Sequence, residues 1–147
     1  MAIEFDRSVL GVESEPIAND VEKGAVRRFV EAIGDNDPIY VDEEAAKRRG
    51  YERIPIPPTF LCTFRSGARP DIKLKFEGKV NLNGGNEYEY LKPIYVGDVI
   101  SATTKVIDVY EKTGRTGTMV FTVSETTFRN QKGEIVAKGR NTGITRG

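Results

Sequence analysis

The chain of 147 residues contains no histidine. Histidine is the side chain whose unperturbed pKa, about 6.5, lies nearest neutrality. Its absence excludes a Ser-His or Cys-His nucleophile, a histidine metal site and an imidazole base supplied by this chain. Acid/base chemistry therefore falls to a carboxylate, a tyrosine, a lysine or a partner chain. Cysteine is nearly as scarce: Cys62 stands alone, which excludes an intrachain disulfide and a thiolate cluster for zinc or iron–sulfur binding and suits a reducing compartment. Net charge is missing too, because 22 Lys and Arg balance 22 Asp and Glu, so no global field draws the chain to nucleic acid or to an anionic membrane. No apolar run approaches a membrane span, and Met1-Ala2-Ile3-Glu4-Phe5-Asp6-Arg7 lacks the apolar core of a signal peptide. These absences predict a soluble cytoplasmic protein. With no Pro/Ser-rich linker, internal repeat or low-complexity segment, residues 1–147 read as a single domain.

What is present is enough for a core, with 38% hydrophobic residues that include Phe29, Phe60, Phe64 and Phe121. Val26, Phe29, Val30 and Ile33 recur at i, i+3, i+4 and i+7, the stripe of an amphipathic helix, with Asn19 or Asp20 as N-cap and Gly34 as stop. A short second helix is predicted over 43–49, capped by Asp42 and stopped by Gly50, its acidic start and basic end matching the helix dipole. Between the two, Pro38 disfavours helix at Asp37 and leaves 35–41 as turn and extended passage. Pro57-Pro58 opens a third candidate helix that carries Phe60, Leu61, Phe64 and Ala68 before Arg69-Pro70 ends it, the apolar helix best suited to lie under a sheet. From Ile72 the period changes to two, first over 72–76 and then around Tyr88 and Tyr90. Residues 99–110, 118–128 and 134–144 read as long strands joined by glycine turns at 113–117 and 130–133, most simply as an antiparallel meander. Gly84 and Gly85 mark a turn or bulge. The fold class is α+β, an antiparallel sheet wrapped around one helix.

Three stretches together carry a resemblance. Phe29-Val30-Glu31-Ala32-Ile33-Gly34-Asp35-Asn36-Asp37-Pro38-Ile39-Tyr40, Ile56-Pro57-Pro58-Thr59-Phe60 and Tyr90-Leu91-Lys92-Pro93-Ile94-Tyr95-Val96-Gly97-Asp98 resemble the hot-dog fold, and within it the MaoC-like (R)-specific hydratases and dehydratases of acyl thioesters. The resemblance covers nearly the whole chain. Active members carry Gly-Asp-x-Asn-Pro-aliphatic-His, in which Asp and His act on water or a substrate proton and Asn orients them. Here Asp35 fills the Asp position, Asp37 replaces Asn and Tyr40 replaces His. In this the chain resembles the branch found as the N-terminal half of double hot-dog dehydratases (the FAS1-like dehydratase type), or as a separate subunit beside an intact one. There one half holds the acyl chain and the other carries the dyad. The resemblance implies a lyase of fatty-acid metabolism that needs no cofactor and no metal. It also implies an acyl-CoA or acyl-carrier-protein thioester as substrate, and a homodimer or a heterodimer with a histidine-bearing hot-dog subunit.

Each residue so singled out also has a plainer use. Syn hydration of an enoyl thioester needs a base for water and an acid for Cα, and a like-charge pair such as Asp35 and Asp37 raises one pKa to hold a proton. The same two residues are also ordinary turn-capping groups before Pro38. Tyr40, a phenol with a model-peptide pKa near 10, is a poor base and suits a packed aromatic with a hydrogen-bonded hydroxyl. The helix start at Pro58 and Thr59 offers free N–H groups to a thioester carbonyl, or begins an ordinary buried helix. Phe60 and Phe64 read as core, and Arg48, Arg49, Arg53, Arg65 and Arg69 as phosphate ligands or as solvated surface. The leading expectation is a hydratase/dehydratase subunit that binds acyl thioesters beside 58–68. A hot-dog thioesterase and a non-catalytic acyl-binding partner subunit are the alternatives.

Overall fold

The computed structural model describes residues 3–147. Strands β1 (Ile17–Asp20), β2 (Val80–Tyr90), β3 (Val99–Gly114), β4 (Gly117–Arg129) and β5 (Ile135–Arg146) form one antiparallel sheet in the order β1-β3-β4-β5-β2. The expected meander is present as β3-β4-β5, with the first hairpin closing at Gly114 and Gly117 and the second turning through Asn130 and Gly133. β2 departs from it: although next to β3 in sequence, it pairs with β5 at the far edge. The reason lies in 91–98, which crosses the covered face of the sheet and buries Ile94 on the way. Leu91 and Lys92 N–H groups both reach the Val136 carbonyl as the crossing begins. Gly84 sits in a bulge of β2, where the register shifts between Asn83 and Gly85.

The wrapped helix is α1 (Lys23–Ile33), with Val26 and Val30 buried, and with Val26, Ala25 and Phe29 packed into a core containing Ile100, Ala102, Phe128 and Ala137 of the sheet. Ile33, expected on the same stripe, is 52% exposed. The N-cap is Glu22, without a side-chain bond, rather than Asn19 or Asp20. Asp20 ends β1, and Asn19 is engaged elsewhere, its amide clamping both the N–H and the carbonyl of Arg65 at 2.8 Å. Gly34 closes the helix at φ 73° as expected. α2 (Glu43–Arg48) is capped by Asp42, which accepts from Glu44 N–H at 3.0 Å.

The third candidate helix is corrected. Only Pro58–Thr63 winds, as a 3-10 helix, and the chain is extended from Phe64 onward. Long-range bonds displace the helical ladder: Asn19 holds Arg65, and Gly67 N–H donates to the Glu15 carbonyl at 3.1 Å. Apolar burial survives the change, since Phe60 and Leu61 are 3% and 2% exposed. Phe29, Phe60, Phe64 and Phe128 form a chain of ring contacts at 5.3, 5.5 and 6.0 Å that links α1 to the sheet. The alternation over 72–76 gives no strand beyond a bridge from Lys75 to Glu4. Ile72 instead covers Val106, Val109 and Val120 in a second cluster. Among the described residues no helix is long and apolar enough to cross a membrane.

Candidate active site

The segment after α1 is built from successive side-chain turns. Asp35 N–H returns to the Val30 carbonyl at 2.9 Å, and Asp35 Oδ1 accepts from Asp37 N–H at 3.0 Å. Asp37 Oδ1 in turn accepts from Ile39 N–H at 3.2 Å and starts the 3-10 helix Pro38–Tyr40. Arg49 grips both oxygens of Asp37 at 3.0 and 3.2 Å. The Ile39 N–H and then Arg49 hold the Asp37 carboxyl below the usual carboxylate range. This reverses the like-charge expectation: Asp37 holds no proton at neutrality and acts as a cap. Asp35 keeps Oδ2 free of any hydrogen bond among the described residues.

Ile39 is buried and anchors the turn, which turns Tyr40 toward a cleft of about 290 Å³ lined by Tyr40, Tyr51, Pro55, Ile56, Pro58, Tyr90 and 91–94. The Tyr90 hydroxyl donates to the Pro58 carbonyl at 2.6 Å. Burial first, then the charges of Asp35 and Asp37, raise the Tyr40 pKa, and burial likewise raises that of Tyr90. Both phenols stay protonated near neutrality and serve as hydrogen-bond donors, not bases. At the cleft rim Lys92 pairs with Glu134. Arg53 anchors the wall from behind, donating to the Val96 carbonyl at 2.9 Å and to Asp98 at 2.8 Å.

The structure thus brings Tyr40 and Pro58 together at the cleft, with Asp35 close enough for its charge to act on Tyr40 but outside the lining. Thr59 and Arg65 are exposed and point to neither wall, and Phe60 is core. Phe64 lines a separate cavity of about 160 Å³ with Leu61, Cys62, Ser66 and Tyr88. The six-residue 3-10 helix at Pro58 has too few aligned peptides to supply the anticipated dipole. Of the arginines, Arg49 and Arg53 are tied internally. Tyr51, Tyr90 and Lys92 escaped selection as site residues, although Tyr90-Leu91-Lys92-Pro93 was among the stretches carrying the resemblance. No three acidic or cysteine side chains among the described residues converge as metal ligands.

A curled antiparallel sheet around one helix, with an acidic turn beside a cleft at the helix end, defines a MaoC-like hot-dog domain. A family model described as FAS1-like, dehydratase domain region, matches residues 8–139, and the chain belongs to that family. A UPF0336 protein of Saccharopolyspora erythraea is 30% identical, over 97% of this chain and 92% of its own length. A probable enoyl-CoA hydratase alpha subunit of Thermomonospora curvata is 32% identical over 78% of this chain, a match that spans only 41% of that larger protein. Among solved structures, the ChsH1-ChsH2 complex of Mycobacterium tuberculosis aligns with TM-score 0.76 at 24% identity, covering 92% of this chain and 84% of the other. The HadBC (3R-hydroxyacyl-ACP dehydratase) complex of the same organism aligns with TM-score 0.74 at 21% identity, covering 92% and 96%. A MaoC-like dehydratase from Rhodospirillum rubrum aligns at 0.70 and 22%, covering 93% and 92%. At these identities the structural likenesses establish the fold.

Proposed function

We propose that the chain is the acyl-thioester-binding hot-dog component of a cytoplasmic (R)-3-hydroxyacyl thioester dehydratase or enoyl-CoA hydratase. The observation that carries this reading is the turn after α1: Asp35 is oriented through Oδ1 by Asp37 N–H while Oδ2 stays free, beside a cleft whose phenols donate. In the hydration direction water adds to C3 of the enoyl thioester and a proton to Cα. Asp35 takes the water proton or returns one to Cα, and Tyr40 holds an oxygen of the substrate, while Tyr90 keeps its hydroxyl on the Pro58 carbonyl and shapes the wall. The second acid/base group is a carboxylate, lysine or tyrosine of this chain or of a second copy of it, since the sequence has no histidine, and each such positioned group is worth about 10²–10⁴-fold in rate. The family match, the hydratase name of the Thermomonospora relative and the two-protein complexes among the structural neighbours support this.

A second reading is favoured by the tying of Asp37 to Arg49: the chain holds the acyl group and leaves catalysis to a histidine-bearing partner. Incubating the purified chain with crotonyl-CoA and a longer enoyl-CoA, while following the conjugated thioester absorbance, separates the two. Absorbance lost with wild type and retained with Asp35→Asn identifies a hydratase that works through Asp35. Binding without turnover identifies the holding subunit. Release of free CoA thiol would instead mean a thioesterase, and absence of any binding would remove the thioester reading altogether.

A further inference from the structure

Of the seven asparagines in the chain, Asn83 alone is followed by glycine. The fold explains that glycine. Residue 84 is the extra member of the β2 bulge: Asn83 pairs with Gly143 and Gly85 with Thr142, and no residue of β5 stands opposite Gly84. A Cβ at 84 would lie 2.9 Å from Ile144 Cδ1 and 3.0 Å from the Thr142 carbonyl oxygen, so the bulge needs the one residue without a side chain. The same need leaves the Gly84 amide nitrogen unhindered beside the Asn83 side chain, the arrangement from which a backbone nitrogen can close on the Cγ of the residue before it.

Two donors meet on the oxygen that such an attack would charge. Asn83 Oδ1 accepts from Gly85 N–H at 3.1 Å and from Asn141 Nδ2, on β5, at 3.1 Å. Asn141 is itself steadied by Asn86, to whose Oδ1 it donates at 2.8 Å. Donors paired on a carbonyl oxygen stabilise the negative charge that develops there as the carbon is attacked. Asn83 and Gly84 are both exposed, so water and hydroxide reach the bond.

We infer that Asn83-Gly84 is a site of spontaneous covalent modification in the folded chain, where the amide closes to a cyclic imide and reopens as aspartate or isoaspartate. Hydroxide removes the Gly84 amide proton, the nitrogen forms a bond to Asn83 Cγ, and the Gly85 and Asn141 donors hold the oxyanion. These donors offset the restraint that a strand places on its backbone. The bond from Cγ to the side-chain nitrogen then breaks, and ammonia leaves with a proton from water. Water adds next to either imide carbonyl. Opening at Cγ restores the backbone with an aspartate side chain, and opening at the main-chain carbonyl carries the backbone through the former side chain as isoaspartate. One water is consumed and one ammonia released, with no oxidant or cofactor. Either product sets a carboxylate where an amide stood on the outermost strand of the sheet, and a charge on an edge strand opposes its pairing with another chain. The modification accumulates with the age of the molecule and is independent of the thioester reading.

The test is incubation of the purified chain in warm, mildly alkaline buffer, with peptide mapping by mass spectrometry at intervals, beside a synthetic peptide of residues 79–89 and the variant Asn141→Ala. The mass gain of an amide turned to acid should build up at Asn83 ahead of every other asparagine, at a rate within about tenfold of the flexible peptide. Asn141→Ala, which removes one of the two donors at an exposed position, should slow it about three- to tenfold. A folded chain that reacts at Asn83 more than about tenfold more slowly than the peptide overturns the inference, because the strand then shields the bond. A rate indifferent to Asn141→Ala overturns it as well, because the oxyanion is then not held as described. The comparison of wild type with peptide does not depend on how that variant folds.

Discussion

Asp98 shows how one buried carboxylate organises the wall behind the cleft. It is 5% exposed and accepts from Tyr95 N–H at 2.9 Å, Gln131 at 3.0 Å and Arg53 at 2.8 Å. Burial pushes its pKa up, but those three donors together outweigh burial and leave it below the ordinary value. Because the folded pKa lies below the unfolded one, about 3.9, the unfolded chain binds the proton more readily. The stabilisation is complete above that value and is lost as pH falls through the folded pKa. Thermal melting should therefore drop steeply below about pH 4, and Asp98→Asn should flatten that limb while costing about 2–3 kcal/mol at neutrality. Asp98 was visible in the sequence only as the end of a motif. Its three donors come from positions as far apart as Arg53 and Gln131, and no local pattern announces them. The same holds for Arg49 on Asp37, which converted a candidate proton donor into a cap. The Asp35, Asp37 and Tyr40 turn, by contrast, was legible because Gly34 and Pro38 fix its backbone locally.

Elements defined by local periodicity were readable, and those defined by distant partners were not. The two-residue alternation placed β3, β4 and β5 within a few residues of their ends, and the i, i+3, i+4 stripe placed α1. The stripe at 58–68 has helical spacing, and Phe60, Leu61 and Phe64 do pack into one cluster. Asn19 and Glu15, some fifty residues earlier, hold its second half extended. Gly67 is the position on which this depends, since a Cβ there would lie 2.2 Å from the Glu15 carbonyl oxygen. Gly67→Ala should lower stability by about 1–3 kcal/mol, seen as a lower urea midpoint with an unchanged slope. Wild-type stability in that variant would mean that the crossing has room to shift. The alternation at 72–76 misleads for the converse reason, because a strand needs a continuous neighbour and this segment meets only isolated bonds, from Asp6 N–H to the Ile72 carbonyl and from Lys75 N–H to the Glu4 carbonyl.

For the molecule as a whole, the two edges of the sheet are unlike. Beyond the short β1, the outer side of β3 is capped by the N-terminal stretch, through Gly11 N–H to the Val106 carbonyl and Ser14 N–H to the Thr104 carbonyl. β2 is eleven residues long and open, with Val80 and Leu82 exposed at 37% and 45%. An uncovered edge of this length invites another strand, and one open edge per chain favours a closed pair over a fibre. Sedimentation should show a dimer, and Leu82→Lys should shift it toward monomer without unfolding the chain. A wild-type monomer at high concentration would contradict this and leave the edge to a different hot-dog chain.

The cleft also has an optical consequence. The protein has six tyrosines and no tryptophan, and three of the six, Tyr40, Tyr51 and Tyr90, line that one cavity. Half of the tyrosine fluorophores therefore lie where a thioester would sit. Occupancy can be followed in the unlabelled protein by tyrosine fluorescence, using a pantetheine thioester that lacks the absorbing adenine.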